Sequence, residues 1–322
     1  MRKSRAPVVP NRIASTQEPR GILELDRFDE ASLRQWIAVS RDLDVLQNEL
    51  YFGLEPERRS LRPDLIAALR NTEPIAIKLS RWVRVVPYQF SLAPLSCAGS
   101  LQNIGGRFNA GSELDPNTLN PWPALYLAQD YETAFREKFQ LPRDKMVDGL
   151  TPEELALEQG VSHTALFVQG HLARVFDMTD PRSLVAVASV FRRVKMPARA
   201  RELQRKLKIP NGGIYMAQTA KQLHDMVLGH NWRVLPIQFG LPAQSHVLAE
   251  LVRAAGFEAI LYQSTKGPGK CLAAFPDLLD GGSFVELIDA SPPAVKHRRL
   301  DSSTAGELEG WESLPPRMRA LF

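Results

Sequence analysis

Two cysteines in 322 residues, Cys97 and Cys271, are too few for a disulfide framework, and no CxxC spacing offers a metal site. A reducing cytoplasm fits that usage. No apolar run approaches the ~18 residues that span a bilayer, and the longest, Ser183 to Phe191, falls well short. The basic N-terminus has no apolar core of signal-peptide length. We therefore expect a cytoplasmic protein with no membrane partner. The six histidines show neither HExxH nor paired i, i+4 spacing, which speaks against a zinc or di-iron site. Charge of one sign is also scarce in excess: 40 basic against 36 acidic residues leave +4, so the balance calls for no nucleic-acid partner. Internal repeats are lacking. So is a complete phosphate loop. In STKGPGKC, Ser264 and Cys271 stand where a glycine and a magnesium-binding hydroxyl are needed, Pro268 removes a backbone donor, and an apolar strand follows instead of a helix.

The chain contains an ordinary globular composition, 44% hydrophobic and 24% charged, long enough to bury a large core. Residues 1–22, rich in Pro and Arg, read as a mobile lead-in. Asp29 caps an expected helix from near Glu30, and a second runs from Pro56 to Arg70. From Ile75 the texture changes to β-like runs, IAIKL and RWVRVVPYQF, in which Arg84 alternates with stiff valines. Residues 141–162 read as an insertion holding a short helix between Thr151 and Gly160. The basic run Arg192 to Lys208 reads as a solvated helix face, because no aromatics are interleaved with its cations. Further helices are expected at AQTAKQLHDMVLGHNW and at SHVLAELVRAAG, the latter capped by Ser245, followed by the strand FEAILYQS and, after a glycine-rich turn, a second strand. The tail beyond Ser291 is Pro-rich and charged, and reads as peripheral.

The most informative stretch is Ile104 to Gln140. Gly105, Gly106 and Gly111 flank Arg107 and let backbone and ligand approach closely. Arginine presents a planar fork that pairs with phosphate or carboxylate, and Asn109 adds a neutral donor and acceptor beside it. A structural arginine in a glycine-rich turn is the competing reading. Tyr126 lies in ALYLA on the face opposite Leu125 and Leu127. Asp130 caps the next helix, whose apolar stripe is Tyr131, Ala134, Phe135 and Phe139. Glu137 lies off that stripe, so periodicity alone makes it solvated.

The order GGRFN, LYLA, a glutamate eleven residues beyond the tyrosine, and the distant Ser264 after GFEAILYQ resembles the RES-domain family of bacterial toxin–antitoxin toxins, over roughly Arg81 to Leu279. The resemblance implies an α+β fold with an ADP-ribosyltransferase-like mixed β core flanked by helices, preceded by a helical extension. It divides the chain into an extension (1–75), a catalytic domain (76–290) and a tail (291–322). It implies an enzyme that cleaves the nicotinamide–ribose bond of NAD, by hydrolysis or phosphorolysis. The alternatives are transfer of ADP-ribose to a protein, or a catalytically silent nucleotide- or partner-binding domain. Carried over by motif, Arg107, Tyr126 and Glu137 are the catalytic residues, and Arg84, Arg107, Asn109, Tyr126 and Ser264 bind NAD, which is substrate and not prosthetic group. A cognate antitoxin is the implied protein partner. The chain departs from the family pattern in the long SELDPNTLNPWPA loop, in Cys271 and Leu272 after the glycine turn, and in the extension and insertion.

Overall fold

The computed structural model describes residues 30–115, 117–141, 162–210, 214–229, 232–289 and 294–310. The expected lead-in, the Asp29 cap and the Thr151 to Gly160 helix lie outside them. The two β-like runs after Ile75 form one strand, β1 (Ile75–Pro87). The strand bends at Arg81, whose φ of 56° coincides with the register shift between Leu79 and Trp82. Its antiparallel partner β5 (His163–Asp177) is equally continuous. Between them in sequence come the two-residue pair β2 (Gly105–Gly106) and β3 (Asn109–Ala110), then β4 (Leu125–Ala128). The strands β6 (Ala259–Gln263) and β7 (Lys270–Ala274) follow, with β8 (Phe284–Leu287) and β9 (Arg299–Leu300) at the end.

The sheet runs β1-β4-β7-β6-β5-β8-β9, and because β1 also pairs with β5 its first five strands close on themselves. Only β5 and β6 pair in parallel. The side chains alternate as the pleat demands. Leu125, Leu127, Leu261, Leu272 and Ala274 join one apolar cluster, while Ile260, Tyr262, Cys271 and Ala273 join another on the opposite face.

That second face is covered by helices. Leu61, Leu65, Ile66 and Leu69 of α2 (Glu55–Arg70) are buried there, and the preceding α1 (Glu30–Tyr51) packs through Leu46 on α5 (Ala198–Lys206) instead. Further α-helices are α3 (Tyr131–Phe139), α4 (Val185–Phe191), α6 (Ala220–Leu228), α7 (Val234–Phe239) and α8 (Gln244–Ala254). The mixed β core, flanking helices and N-terminal helices are those expected. Among the described residues no helix is long and apolar enough to cross a membrane.

Two expectations fail. Ser245 does not cap α8: the helix starts at Gln244, and the Ser245 hydroxyl is buried without a hydrogen-bond partner. His246 ties the end instead, its Nδ1 accepting from the Ala243 N–H at 3.3 Å. Nor is the chain after 294 peripheral. β9 pairs with β8, and Val295, Leu300, Ala305 and Leu308 are buried in the first cluster, the last two from α9 (Ala305–Glu309). Composition hid this, because the few apolar residues there are widely spaced among charges.

Candidate functional site

Each piece of the central stretch is fixed by local chemistry. Gly105 adopts a φ of 84°, open to glycine with little strain. At Gly106 the constraint is space: a Cβ would lie 2.5 Å from the Tyr126 hydroxyl. That hydroxyl accepts from the Phe108 N–H and donates to Asn109 Oδ1, both at 2.9 Å. Asn109 Oδ1 also accepts from the Gly106 N–H at 2.9 Å, and its Nδ2 donates to the Trp122 carbonyl at 3.2 Å. Asn109 is fully buried, and it braces Tyr126 and the turn. Burial pushes the Tyr126 phenol well above its ordinary pKa, with Arg107 opposing, and the group stays neutral.

Arg107 is buried, and both its Nη atoms are engaged by the protein. Nη1 donates to the carbonyls of Val227 (3.2 Å) and Leu228 (3.3 Å), at the negative end of α6, and Nη2 donates to Thr265 Oγ1 (3.2 Å). From the other side, His246 Nε2 lies 2.8 Å from the Gly106 carbonyl. Since Nδ1 accepts from Ala243, Nε2 carries the proton and donates. Burial lowers the His246 pKa to about 4, which keeps the ring neutral near pH 7.

Asp130 caps α3 by accepting from the Thr133 N–H at 2.8 Å and from Thr133 Oγ1 at 2.9 Å. The glycine-rich turn after β6 lies flat on this first turn of α3. The Gly269 N–H donates to Thr133 Oγ1 at 2.8 Å, and a Cβ on Gly267 would sit 2.6 Å from Thr133 Cα. This contact delivers Ser264 to Glu137. Ser264 Oγ accepts from the N–H groups of Lys266 (3.0 Å) and Gly267 (2.8 Å), so its own proton is directed to Glu137 Oε1, 2.6 Å away. A hydrogen bond to a carboxylate at that length is of the strong, charge-assisted kind. Glu137 is half-buried and not solvated as the helical stripe implied.

Glu137, Arg107, Tyr126 and Arg84 share the wall of a cavity of about 550 Å³, within the range of small-molecule sites. Arg84 donates from Nη2 to the Ser96 carbonyl at 2.7 Å, while its Nη1 is buried without a hydrogen-bond partner. Ser264 and Asn109 do not line the cavity; they hold the residues that do. Among the described residues the wall carries four cations, Arg84, Arg107, Lys138 and Arg233, against the single carboxylate of Glu137. The cavity suits an anion with an apolar ring, presented to one fixed carboxylate.

Sequence reasoning passed over Trp232, Arg233 and His246. Arg233 lies over the Trp232 ring, 4.5 Å from its centroid, and donates to Gln140 Oε1 at 2.6 Å. The Trp232 ring in turn meets His246 edge-on at 5.4 Å. An aromatic directly followed by arginine was the available signal.

A family model described as the RES domain matches residues 81–294, about two thirds of the chain. A solved chain from the M. tuberculosis MbcT–MbcA toxin–antitoxin complex aligns with a TM-score of 0.41 and 15% sequence identity, covering 78% of this chain and 98% of that one. No curated protein matches.

Proposed function

The chain belongs to the RES domain family, and from that membership we propose that it is a toxin-type enzyme that cleaves the nicotinamide–ribose bond of NAD. The observation that carries the reading is the Glu137 carboxylate, fixed by Ser264 at 2.6 Å in the wall of a cation-rich cavity. Breaking the glycosidic bond leaves positive charge on the ribose C1′ and its ring oxygen, and a preorganised carboxylate stabilises that oxocarbenium-like state. The bonding pair leaves with nicotinamide, which departs neutral and needs no strong general acid. Water or phosphate then bonds to C1′ and gives up a proton, yielding ADP-ribose or its 1-phosphate.

The remaining residues bind and orient. Tyr126 offers its ring as a wall, since its hydroxyl is already engaged as donor and acceptor. Arg107 supplies a fixed positive charge toward the dinucleotide. Ser264 acts through Glu137, holding the carboxylate toward the ribose and disfavouring its rotation away. The half-buried wall limits solvent and strengthens these electrostatic contributions.

Purified protein is expected to consume NAD and release nicotinamide, and Glu137→Gln to lower turnover by ~10²-fold or more while leaving the fold intact. Glu137→Gln turning over NAD at the unsubstituted rate overturns the assignment. Expressed in bacteria, the chain is expected to deplete NAD and arrest growth, and a cognate antitoxin protein to relieve the arrest.

A further inference from the structure

Arg107 is not a free fork for a ligand phosphate, because three hydrogen bonds to Val227, Leu228 and Thr265 already engage both Nη atoms. It behaves as a fixed strut of positive charge. A second guanidinium lies in the same wall. Arg233 is half-buried, laid over the Trp232 ring and anchored to Gln140, the left-handed residue that ends α3. Arg233 is thereby linked to the helix that carries Glu137. Its pKa is lowered first by burial and then by the charge of Arg107, which makes the two guanidiniums electrostatic neighbours. Two like charges gathered at a partly desolvated wall, with Glu137 the one carboxylate lining the cavity among the described residues, are stabilised when an anion lies between them.

We propose that Arg233, held flat on Trp232, completes with Arg107 an oxyanion subsite that takes the diphosphate of an organic diphosphate ligand. A single phosphate needs one fork, whereas a diphosphate spreads its charge over two linked groups and matches two arginines in one wall. The strut Arg107 sets the position, and Arg233, stacked on Trp232, supplies the second positive charge. Stacking also explains why arginine and not lysine stands at 233: a planar guanidinium lies on an indole face and still presents its edge, which an ammonium does not. The subsite rests on the reading of the cavity as a dinucleotide site, but its test does not require turnover.

Binding of ADP-ribose, inorganic pyrophosphate and nicotinamide to the full chain is measured by calorimetry for the unsubstituted protein, Arg233→Gln and Arg233→Lys. ADP-ribose affinity is expected to fall ~10-fold or more in Arg233→Gln and to recover only in part in Arg233→Lys, with pyrophosphate following the same order. Nicotinamide, which has no phosphate, is expected to bind all three alike. Arg233→Gln binding ADP-ribose as tightly as the unsubstituted protein overturns the subsite. So does equal loss of nicotinamide binding, which would mark Arg233 as structural support. Should Arg233→Gln fail to fold, Arg233→Lys decides, because unchanged ADP-ribose affinity there refutes the planar fork. If NAD is never cleaved yet ADP-ribose binding still depends on Arg233, the subsite stands and the catalytic reading falls.

Discussion

Acidification is expected to weaken this protein through one buried imidazole. His246 is fully buried, donating from Nε2 to the Gly106 carbonyl at 2.8 Å and accepting at Nδ1 from the Ala243 N–H. Protonation would place a second N–H against the Ala243 donor, inside an apolar wall that includes the Trp232 edge. Burial holds the ring's pKa at about 4, against 6.5 for an exposed histidine. Between those values the unfolded chain binds a proton that the native state refuses, so stability falls as pH falls from 6.5 toward 4. A difference of roughly 2.5 units corresponds to about 3 kcal/mol when fully developed below pH 4, of which about 2 kcal/mol is lost by pH 5. Other groups titrate in the same range, so the assay is a comparison: urea unfolding from pH 7.5 to pH 5 for the unsubstituted chain and for His246→Gln. The glutamine amide can donate to Gly106 and accept from Ala243 but takes no proton. Its stability is expected to fall by ~2 kcal/mol less over that interval. Parallel curves for the two proteins would refute the assignment of a neutral, buried His246.

Three further substitutions test the scaffold. Gly106→Ala forces a Cβ to 2.5 Å from a Tyr126 hydroxyl that two hydrogen bonds hold in place, and is expected to cost ~1–3 kcal/mol by urea midpoint. Gly99→Ala, where a Cβ meets nothing within 4 Å, is the control expected to stay within about 0.5 kcal/mol. Glu258 is a buried carboxylate that accepts from the N–H groups of Ala173 (3.0 Å), Arg174 (3.1 Å) and Asp280 (3.2 Å) and from Ser283 Oγ (2.8 Å). Glu258→Ala leaves those donors without their acceptor, and is expected to destabilise by ~3 kcal/mol or more in the same assay, although Glu258 does not line the cavity.

Where one physical rule governed a segment, the residues declared their structure. The alternation at Leu125, Tyr126 and Leu127 puts the tyrosine on the face opposite the two leucines because a strand has period two and each face meets its own core. Asp130 caps α3 because a short carboxylate reaches the N–H three residues on. What did not show was anything set by distant partners. IAIKL and RWVRVVPYQF read as two runs since a non-glycine residue at φ 56° leaves no compositional mark, yet the pairing with β5 carries β1 through the bend. His246 gave no metal-ligand pattern because its partners are main-chain groups of Gly106 and Ala243. Arg107 looked like a ligand's fork, whereas the end of α6, more than a hundred residues later, engages Nη1 and Thr265 engages Nη2.

Glu137 marks the limit of the periodicity argument most sharply. The rule that an off-stripe residue is solvated assumes a helix packed on one side only. Ala134 and Phe135 do bury one stripe of α3, but the turn after β6 lies against the same helix through Thr133, where glycines 267 and 269 allow contact closer than any side chain permits. A helix covered on two flanks has no free polar face along that turn, and a carboxylate there needs a donor. Ser264 is that donor, and its hydroxyl is aimed by the N–H groups of the same glycine turn that brought it near. The segment that fails as a phosphate loop is thus explained by packing: its glycines serve the approach to α3, and its serine serves Glu137. A glutamate off the stripe of a short helix, joined to a serine at the head of a distant glycine-rich turn, is therefore a signal of a doubly packed helix that sequence periodicity misreads as solvation.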